Sequence, residues 1–302
     1  MNEKIKITEC PRDAIQGLQN YIPTRLKAEY INKLLQVGFD ILDFGSFVSP
    51  HAVPQMKDTP QVIERLDLGA SSTELLAIIP YKCGYDKIDA CRFEEITYVG
   101  YPLSVSETFQ LKNVHTSYEN SFDKVKEIQD GLAEYSHKKL RIYISMAFGN
   151  PYGDKWNLDI LDSTVEKLVK CGIKDIALSD TVGLGKPEDI EEIFSLMIDK
   201  YPDAEFGAHF HSMPKDWKAK VEAAYSGGCL KFDSALSGYG GCPLSGYDMV
   251  GNIATENLIA FFEEKNINLG LNKEKLNEAA AIASRLFKHN SVYIPPAPYY
   301  DF

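Results

Sequence analysis

Long apolar runs are missing from these 302 residues. No segment approaches the ~18 consecutive apolar residues of a membrane-spanning helix, so no membrane partner is expected. Positive charge is also scarce, with 32 Lys and Arg against 43 Asp and Glu and a formal net charge of -11. Nucleic acid or an anionic membrane surface would favour a basic face, so neither is expected as a partner; an anionic substrate would have to meet local positive charge or a metal ion. The six cysteines, Cys10, Cys83, Cys91, Cys171, Cys229 and Cys242, form no CxxC pair and no dense framework. That excludes a disulfide scaffold and fits a reducing, cytoplasmic setting. The opening "MNEKIKITECPRD" shows no signal or transit pattern, and "PAPYYDF" at the end shows no lipidation signal. No Pro/Gly/Ser-rich linker divides the chain, so one domain over 1–302 is expected.

What is present is a rhythm. Eight short β-like runs recur: "KIKITEC" (4–10), "DILDFGSF" (40–47), "ELLAIIP" (74–80), "EITYVGY" (95–101), "RIYISMAFG" (141–149), "DIALSDT" (175–181), "EFGAHFHS" (205–212) and "KFDSALSG" (231–238). Helical patterns such as "TRLKAEYINKLLQVG", "DSTVEKLVKCG" and "KPEDIEEIFSLMIDKYP" lie between them, with apolar residues three and four apart. Strand and helix in alternation predict a parallel sheet with crossover helices, and eight repeats predict an α/β (β/α)8 TIM barrel over about 4–265. An additional C-terminal helix is expected in the extension from 266 to 302, within "NKEKLNEAAAIASRLFKHNS" (272–291). A doubly wound open sheet is the alternative.

In such a barrel the chemistry sits at the C-terminal ends of the strands. Arg12, Asp13 and Gln16 follow the first run, Asp43 and Ser46 sit in the second, and Asp180 and Thr181 in the sixth. His209 and His211 lie two apart in the seventh, so both side chains point to one side of the sheet. Asn252 and Cys242 come after the eighth, Cys242 in the glycine-rich "SGYGGCPLSG" (237–246). One Asp, two His and one Asn form a mixed nitrogen and oxygen donor set that suits Mg²⁺ or Mn²⁺ at least as well as Zn²⁺. Plainer roles exist for each residue: an Arg12–Asp13 ion pair, Asp180 or Asn252 as a helix cap, and Cys83, Cys91 and Cys171 as packing residues. Joint placement at the ends of different strands favours a site.

The motifs "PRDAIQ", "SFVSPHAVPQM" (46–56), "SDTVGLG" (179–185), "HFH" (209–211), "GYGGCP" and "GNIATE" together resemble the 3-hydroxy-3-methylglutaryl-CoA lyase family, a branch of the metal-dependent TIM-barrel lyases and synthases. The resemblance implies cleavage of that acyl-CoA to acetyl-CoA and acetoacetate, as in leucine degradation, by a divalent-cation enzyme; a homodimer is expected. It implies that Asp13, His209, His211 and Asn252 hold the ion and that Arg12 stabilises the enolate oxygen. Asp13 and His209 would share in catalysis, with Cys242 moving a proton from its loop. It further implies that Gln16 and Asn113 contact substrate, with Asp43, Asp180 and Thr181 supporting the site. The chain departs from the family's usual residues at Ser212, Asp43 and Asn257, where Asp, Glu and an acidic residue are common. An acetyl-CoA-dependent condensation of the isopropylmalate or homocitrate synthase type, a lyase for a related 3-hydroxyacyl-CoA, and a catalytically silent binding barrel are the competing readings. "GGCP" favours the lyase.

Overall fold

Side-chain alternation along each strand decides what faces the barrel axis and what faces the helices. The computed structural model describes residues 4–69, 71–79, 89–241 and 250–288. Its strands are β1 (Lys6–Glu9), β2 (Ile41–Ser46), β3 (Glu74–Ile78), β4 (Ile96–Ser104), β5 (Lys139–Ser145), β6 (Asp175–Asp180), β7 (Glu205–Phe210) and β8 (Lys231–Ser234). Each pairs in parallel with the next and β8 returns to β1, which closes the barrel and sets aside the open-sheet alternative. In chain order the helices are α1 (Pro11–Gln16), α2 (Thr24–Leu35), α3 (Thr59–Ile63), α4 (Glu107–Val114), α5 (Tyr118–Leu132), α6 (Leu158–Lys170), α7 (Pro187–Lys200), α8 (Trp217–Ser226), α9 (Thr255–Glu264) and α10 (Lys273–Phe287). Among the described residues, no helix is long and apolar enough to cross a membrane.

Ile142 and Ile144 of β5, Ile176 and Leu178 of β6, Phe206, Ala208 and Phe210 of β7 and Phe232 of β8 belong to the core that the helices cover. Leu161, Val165 and Leu168 of α6, with Phe194 and Met197 of α7, complete that layer. Local signals start these helices where the chain leaves the barrel. Ser117, Asn157 and Asn272 cap α5, α6 and α10 by accepting the backbone N–H three residues on, and proline opens α7. The other strand face points inward, where a small apolar group (Ile41, Leu76, Ile78, Tyr98, Tyr143, Ala177) shares the axis with polar residues. Both faces are buried, hence the continuous apolar appearance of several strands.

Among the expected strands that end early, three do so for a visible reason. The run at 141–149 stops at Ser145, because Met146 adopts φ 59° and donates its N–H to Thr181 Oγ1 at 2.9 Å. The seventh leaves the ladder after Phe210, and His211 is instead held by an isolated antiparallel bridge to Asn252. The eighth stops at Ser234, since Leu236 turns its N–H onto Glu9 Oε1 at 2.8 Å and a short 3-10 turn follows. The additional helix α10 lies outside the barrel against α2, with Phe287 edge-on to Tyr30 at 6.4 Å and stacked on Tyr239 at 4.0 Å. Cys10, Cys91 and Cys229 are buried, Cys171 is only half-buried at the end of α6, and Cys83 lies outside the described residues.

Glu9 closes the seam between the first and last units, accepting from Leu236 N–H and the Thr255 hydroxyl. Complete burial pushes its carboxyl up to about 8, so at neutral pH the folded protein keeps it largely protonated. An unfolded chain releases that proton near its ordinary value. The resulting stability is full below about 4.5 and is lost as pH rises through about 8. Urea midpoints measured from pH 5 to 8.5 should fall more steeply for the parent than for Glu9→Gln, whose neutral amide copies the protonated state; parallel curves would refute the assignment.

Candidate metal centre at the barrel mouth

β1 ends at Glu9, and the proline at the start of α1 turns the chain at once, which drops Arg12 and Asp13 back over the barrel opening. Both are buried, at 8% and 4% exposure. The Arg12 guanidinium is clamped by Asp43 of β2: Nε donates to both carboxylate oxygens at 3.2 and 3.1 Å and Nη2 donates at 2.6 Å. Its Nη1 donates to Asp13 at 3.1 Å and to Gln16 Oε1 at 3.0 Å. Of the five donors a guanidinium carries, one on Nη2 is left over. Asp43 and Asp13 hold the Arg12 pKa above its ordinary value against the opposing effect of burial.

From the other side of the opening come the histidines. Their ring centroids are 5.1 Å apart with planes nearly perpendicular. Ligand atoms of Asp13, His209 and His211 all lie within 4.8 Å of one another, and all three residues are buried. Burial would raise the Asp13 carboxyl, but the Arg12 guanidinium above all, with the hydrogen bond from Asn252, holds it below its ordinary value. Burial likewise takes His211 down to about 4, so its ring is neutral at physiological pH and keeps a lone pair.

Asn252 completes the set. Its Nδ2 donates to Asp13 Oδ2 at 2.6 Å and to the Tyr239 carbonyl at 2.8 Å, which orients the amide and leaves Oδ1 buried without a partner. Nδ1 of His211 is buried and unpartnered as well. Among the described residues, an orphaned amide oxygen and an imidazole nitrogen without a hydrogen-bond partner, beside an ionised carboxylate, have the character of a cation site, since unpaired buried polar atoms are costly. The donors are nitrogen and oxygen without thiolate, a set that suits a divalent cation. Gly240 makes the approach feasible: at φ +114° it passes so close that a Cβ there would stand 2.8 Å from Asp13 Oδ2 and would collide with Asn252 Nδ2.

The remaining expected residues divide. Gln16 is half-buried with both ends of its amide taken by Arg12 and Asp13, so it steadies them rather than facing a ligand. Thr181 serves the turn after β5. Asp180 caps no helix. Its Oδ2 accepts from Gly185 N–H at 3.0 Å and from the buried Lys220 ammonium at 2.6 Å, which fixes the loop after β6. Asn252 is no helix cap either, because α9 starts from Ala254. Asn113 sits half-buried in the last turn of α4 and takes part in none of the described contacts that knit the cluster. Ser212 spends its hydroxyl on the Met213 carbonyl and adds no charge. Cys242 lies outside the described residues.

Sequence reasoning passed over two residues. Asp233 of β8 stands opposite His209 in the ladder, and its Oδ2 lies 3.1 Å from His209 Nδ1, leaving Nε2 as the nitrogen free for an ion. It was legible as the second inward position of "KFDSALSG". Lys220 was not, for it sits in an amphipathic helix where lysine ordinarily marks a solvated face.

A family model described as HMGL-like matches residues 4–282. The chain is 32% identical over 278 residues to the mitochondrial hydroxymethylglutaryl-CoA lyase of Macaca fascicularis, covering 92% of this chain and 84% of that one. It is 32% identical to the cytoplasmic 3-hydroxy-3-methylglutaryl-CoA lyase of Homo sapiens, covering 92% and 74%. Among solved structures, an HMG-CoA lyase from Acinetobacter baumannii in complex with coenzyme A and 3-methylmalate superposes with TM-score 0.85 at 30% identity, over 95% of this chain and 92% of that one.

Two substitutions test the geometry. Gly240→Ala should lower Mn²⁺ affinity at least about tenfold in calorimetric titration, because Asn252 and Asp13 must both give way. Lys220→Met strands the Asp180 carboxylate and should cost about 3–5 kcal/mol in urea unfolding, with Lys220→Met/Asp180→Asn recovering most of the loss.

Proposed function

Because this chain belongs to the HMGL-like family, we propose that it cleaves 3-hydroxy-3-methylglutaryl-CoA to acetyl-CoA and acetoacetate with a divalent cation, Mg²⁺ or Mn²⁺. The observation that carries this reading is the convergence of Asp13, His209 and His211 at the mouth of the barrel, with the orphaned Asn252 Oδ1 beside them. Asp13, His209, His211 and Asn252 would hold the ion. When bound, it supplies Lewis acidity that lowers the pKa of the substrate's tertiary hydroxyl.

The chain's own residues do the rest. The tertiary hydroxyl must lose its proton as the carbon–carbon bond breaks, and Asp13, the ionised carboxylate of the cluster, takes it; His209, with Nδ1 engaged by Asp233, shares in catalysis by holding the ion against that oxygen. Cleavage of the carbon–carbon bond leaves a thioester enolate. Arg12 is fixed in place before substrate arrives and has one Nη2 proton free for the enolate oxygen. Asp43, Asp180, Thr181 and Gln16 keep that geometry rigid. Cys242 of the glycine-rich loop then protonates the enolate carbon. Asn113 completes the proposal as a substrate contact. An acyl-CoA substrate agrees with the coenzyme A bound in the Acinetobacter lyase. A single catalytic domain, a homodimer, a role in leucine degradation and a cytoplasmic location belong to the same reading, the last supported by the likeness to the human cytoplasmic lyase.

The test is incubation of Mn²⁺-loaded protein with 3-hydroxy-3-methylglutaryl-CoA and with related 3-hydroxyacyl-CoA thioesters, following acetyl-CoA and acetoacetate. Equal release of the two products from the first compound is expected. Inertness toward it with cleavage of a relative would overturn the substrate, and inertness toward all would overturn the lyase reading. Cys242→Ser should lower turnover about 10²–10⁴-fold with metal affinity retained, whereas His211→Ala should lose both.

A further inference from the structure

The polar interior does not stop at the metal centre. A line of paired charges descends from His209 toward the N-terminal rim of the barrel. Asp233 joins His209 Nδ1 through Oδ2 at 3.1 Å and accepts from Arg141 Nη2 through Oδ1 at 2.7 Å. Arg141 Nε lies 3.5 Å from Asp175 Oδ1, and the other oxygen of Asp175 meets Lys231, which reaches Glu205 at 3.0 Å. Arg141 is completely buried, with its Nη1 on Thr8 Oγ1 at 3.1 Å.

Barrel interiors are ordinarily filled by branched aliphatic residues, and a guanidinium there is expensive unless its partners are well placed. Two features show that space and contacts are arranged around it. A Cβ at Gly207 would stand 3.0 Å from Arg141 Nη2, so the glycine in β7 leaves the room that the guanidinium occupies. The Tyr143 ring is also in contact on two sides: the Arg141 Cζ sits 5.1 Å from its centroid, and the His209 ring meets it edge-on at 5.4 Å. Asp233 and Tyr143, which both touch His209, therefore both rest on Arg141.

We propose that Arg141 is a positioning residue for His209, setting through Asp233 and Tyr143 which ring nitrogen carries the proton and how the imidazole is tilted at the metal centre. This rests on the reading that His209 binds the ion. The pair Asp233–Arg141 orients a ligand in the way a carboxylate behind a metal-bound histidine does, with the cation fixing the carboxylate in turn.

The test uses three variants of the full chain. Arg141→Lys keeps the charge but loses the fork that spans Asp233, Thr8 and Asp175. Gly207→Ala keeps every charge and displaces the guanidinium. Lys139→Gln removes a cation from the exposed rim, where it pairs with Glu74 at 2.9 Å, and serves as control. Mn²⁺ affinity should fall about tenfold in the first two and stay at the parent value in the third. In the metal-free protein, the nitrogen resonances of His209 should report one tautomer, protonated at Nδ1, for the parent and the control, and a mixture for Arg141→Lys and Gly207→Ala. Should Arg141→Lys fail to fold, Gly207→Ala decides alone. Folded variants with the parent's affinity and a single tautomer would overturn the proposal. A parent that binds no Mn²⁺ would overturn the metal reading of the preceding section, while the resonances of the metal-free protein still decide this one.

Discussion

An ionised carboxylate kept out of water, facing the imidazoles of His209 and His211, is the constraint around which the barrel mouth is arranged. Asp13 is buried, and burial alone would favour its protonated form. It stays ionised because Arg12 lies 3.1 Å away, and Arg12 in turn is tolerated because Asp43 holds it from β2. Removing any one member leaves an unpaired buried charge, which costs far more than the net stabilisation of the pairs. Negative charge at a fixed point, with lone pairs from His211 and Asn252 directed nearby, then makes cation binding the natural completion of the cluster.

The same economy of pairing recurs down the axis. The two layers of the molecule divide the work: the shell between strands and helices is aliphatic and aromatic and supplies stability, while the axis carries His209, Asp233, Arg141 and Asp175. Burying so many charges does not increase stability over a hydrophobic interior of the same volume. What it provides is orientation, since a carboxylate with both oxygens engaged cannot rotate away from the imidazole it serves. Glycine at 207 and 240 is part of this arrangement. At each, the absence of a side chain lets a charged or polar group of the site come within contact distance of the backbone.

Where the chain carries residues other than those the family resemblance implies, the structure tolerates them. Asp43, one methylene shorter than the glutamate expected there, still forks onto Arg12 through both oxygens. Ser212 contributes no carboxylate, yet the backbone of that segment remains fixed: Ser212 donates its N–H to Gly251 at 3.0 Å and His211 donates its own to Asp180 at 3.2 Å. Orientation of His211 therefore comes from the main chain, which any residue at 212 except proline can supply.

Sequence by itself determined the eightfold strand–helix rhythm, the inward side of each strand and hence the shared direction of His209 and His211, because side-chain periodicity is a local property of the backbone. It also singled out Asp13, Arg12 and Asn252, since polar residues just past strand ends have a place in a barrel whatever the register. What only the tertiary structure decided was who meets whom across the axis. That Asp233 backs His209, that Lys220 is buried against Asp180 rather than solvated, and that Arg141 threads past Gly207 all depend on strand register and barrel closure. Barrel closure also brings Asn252 onto Asp13, 239 positions away, and no local pattern encodes such a distance.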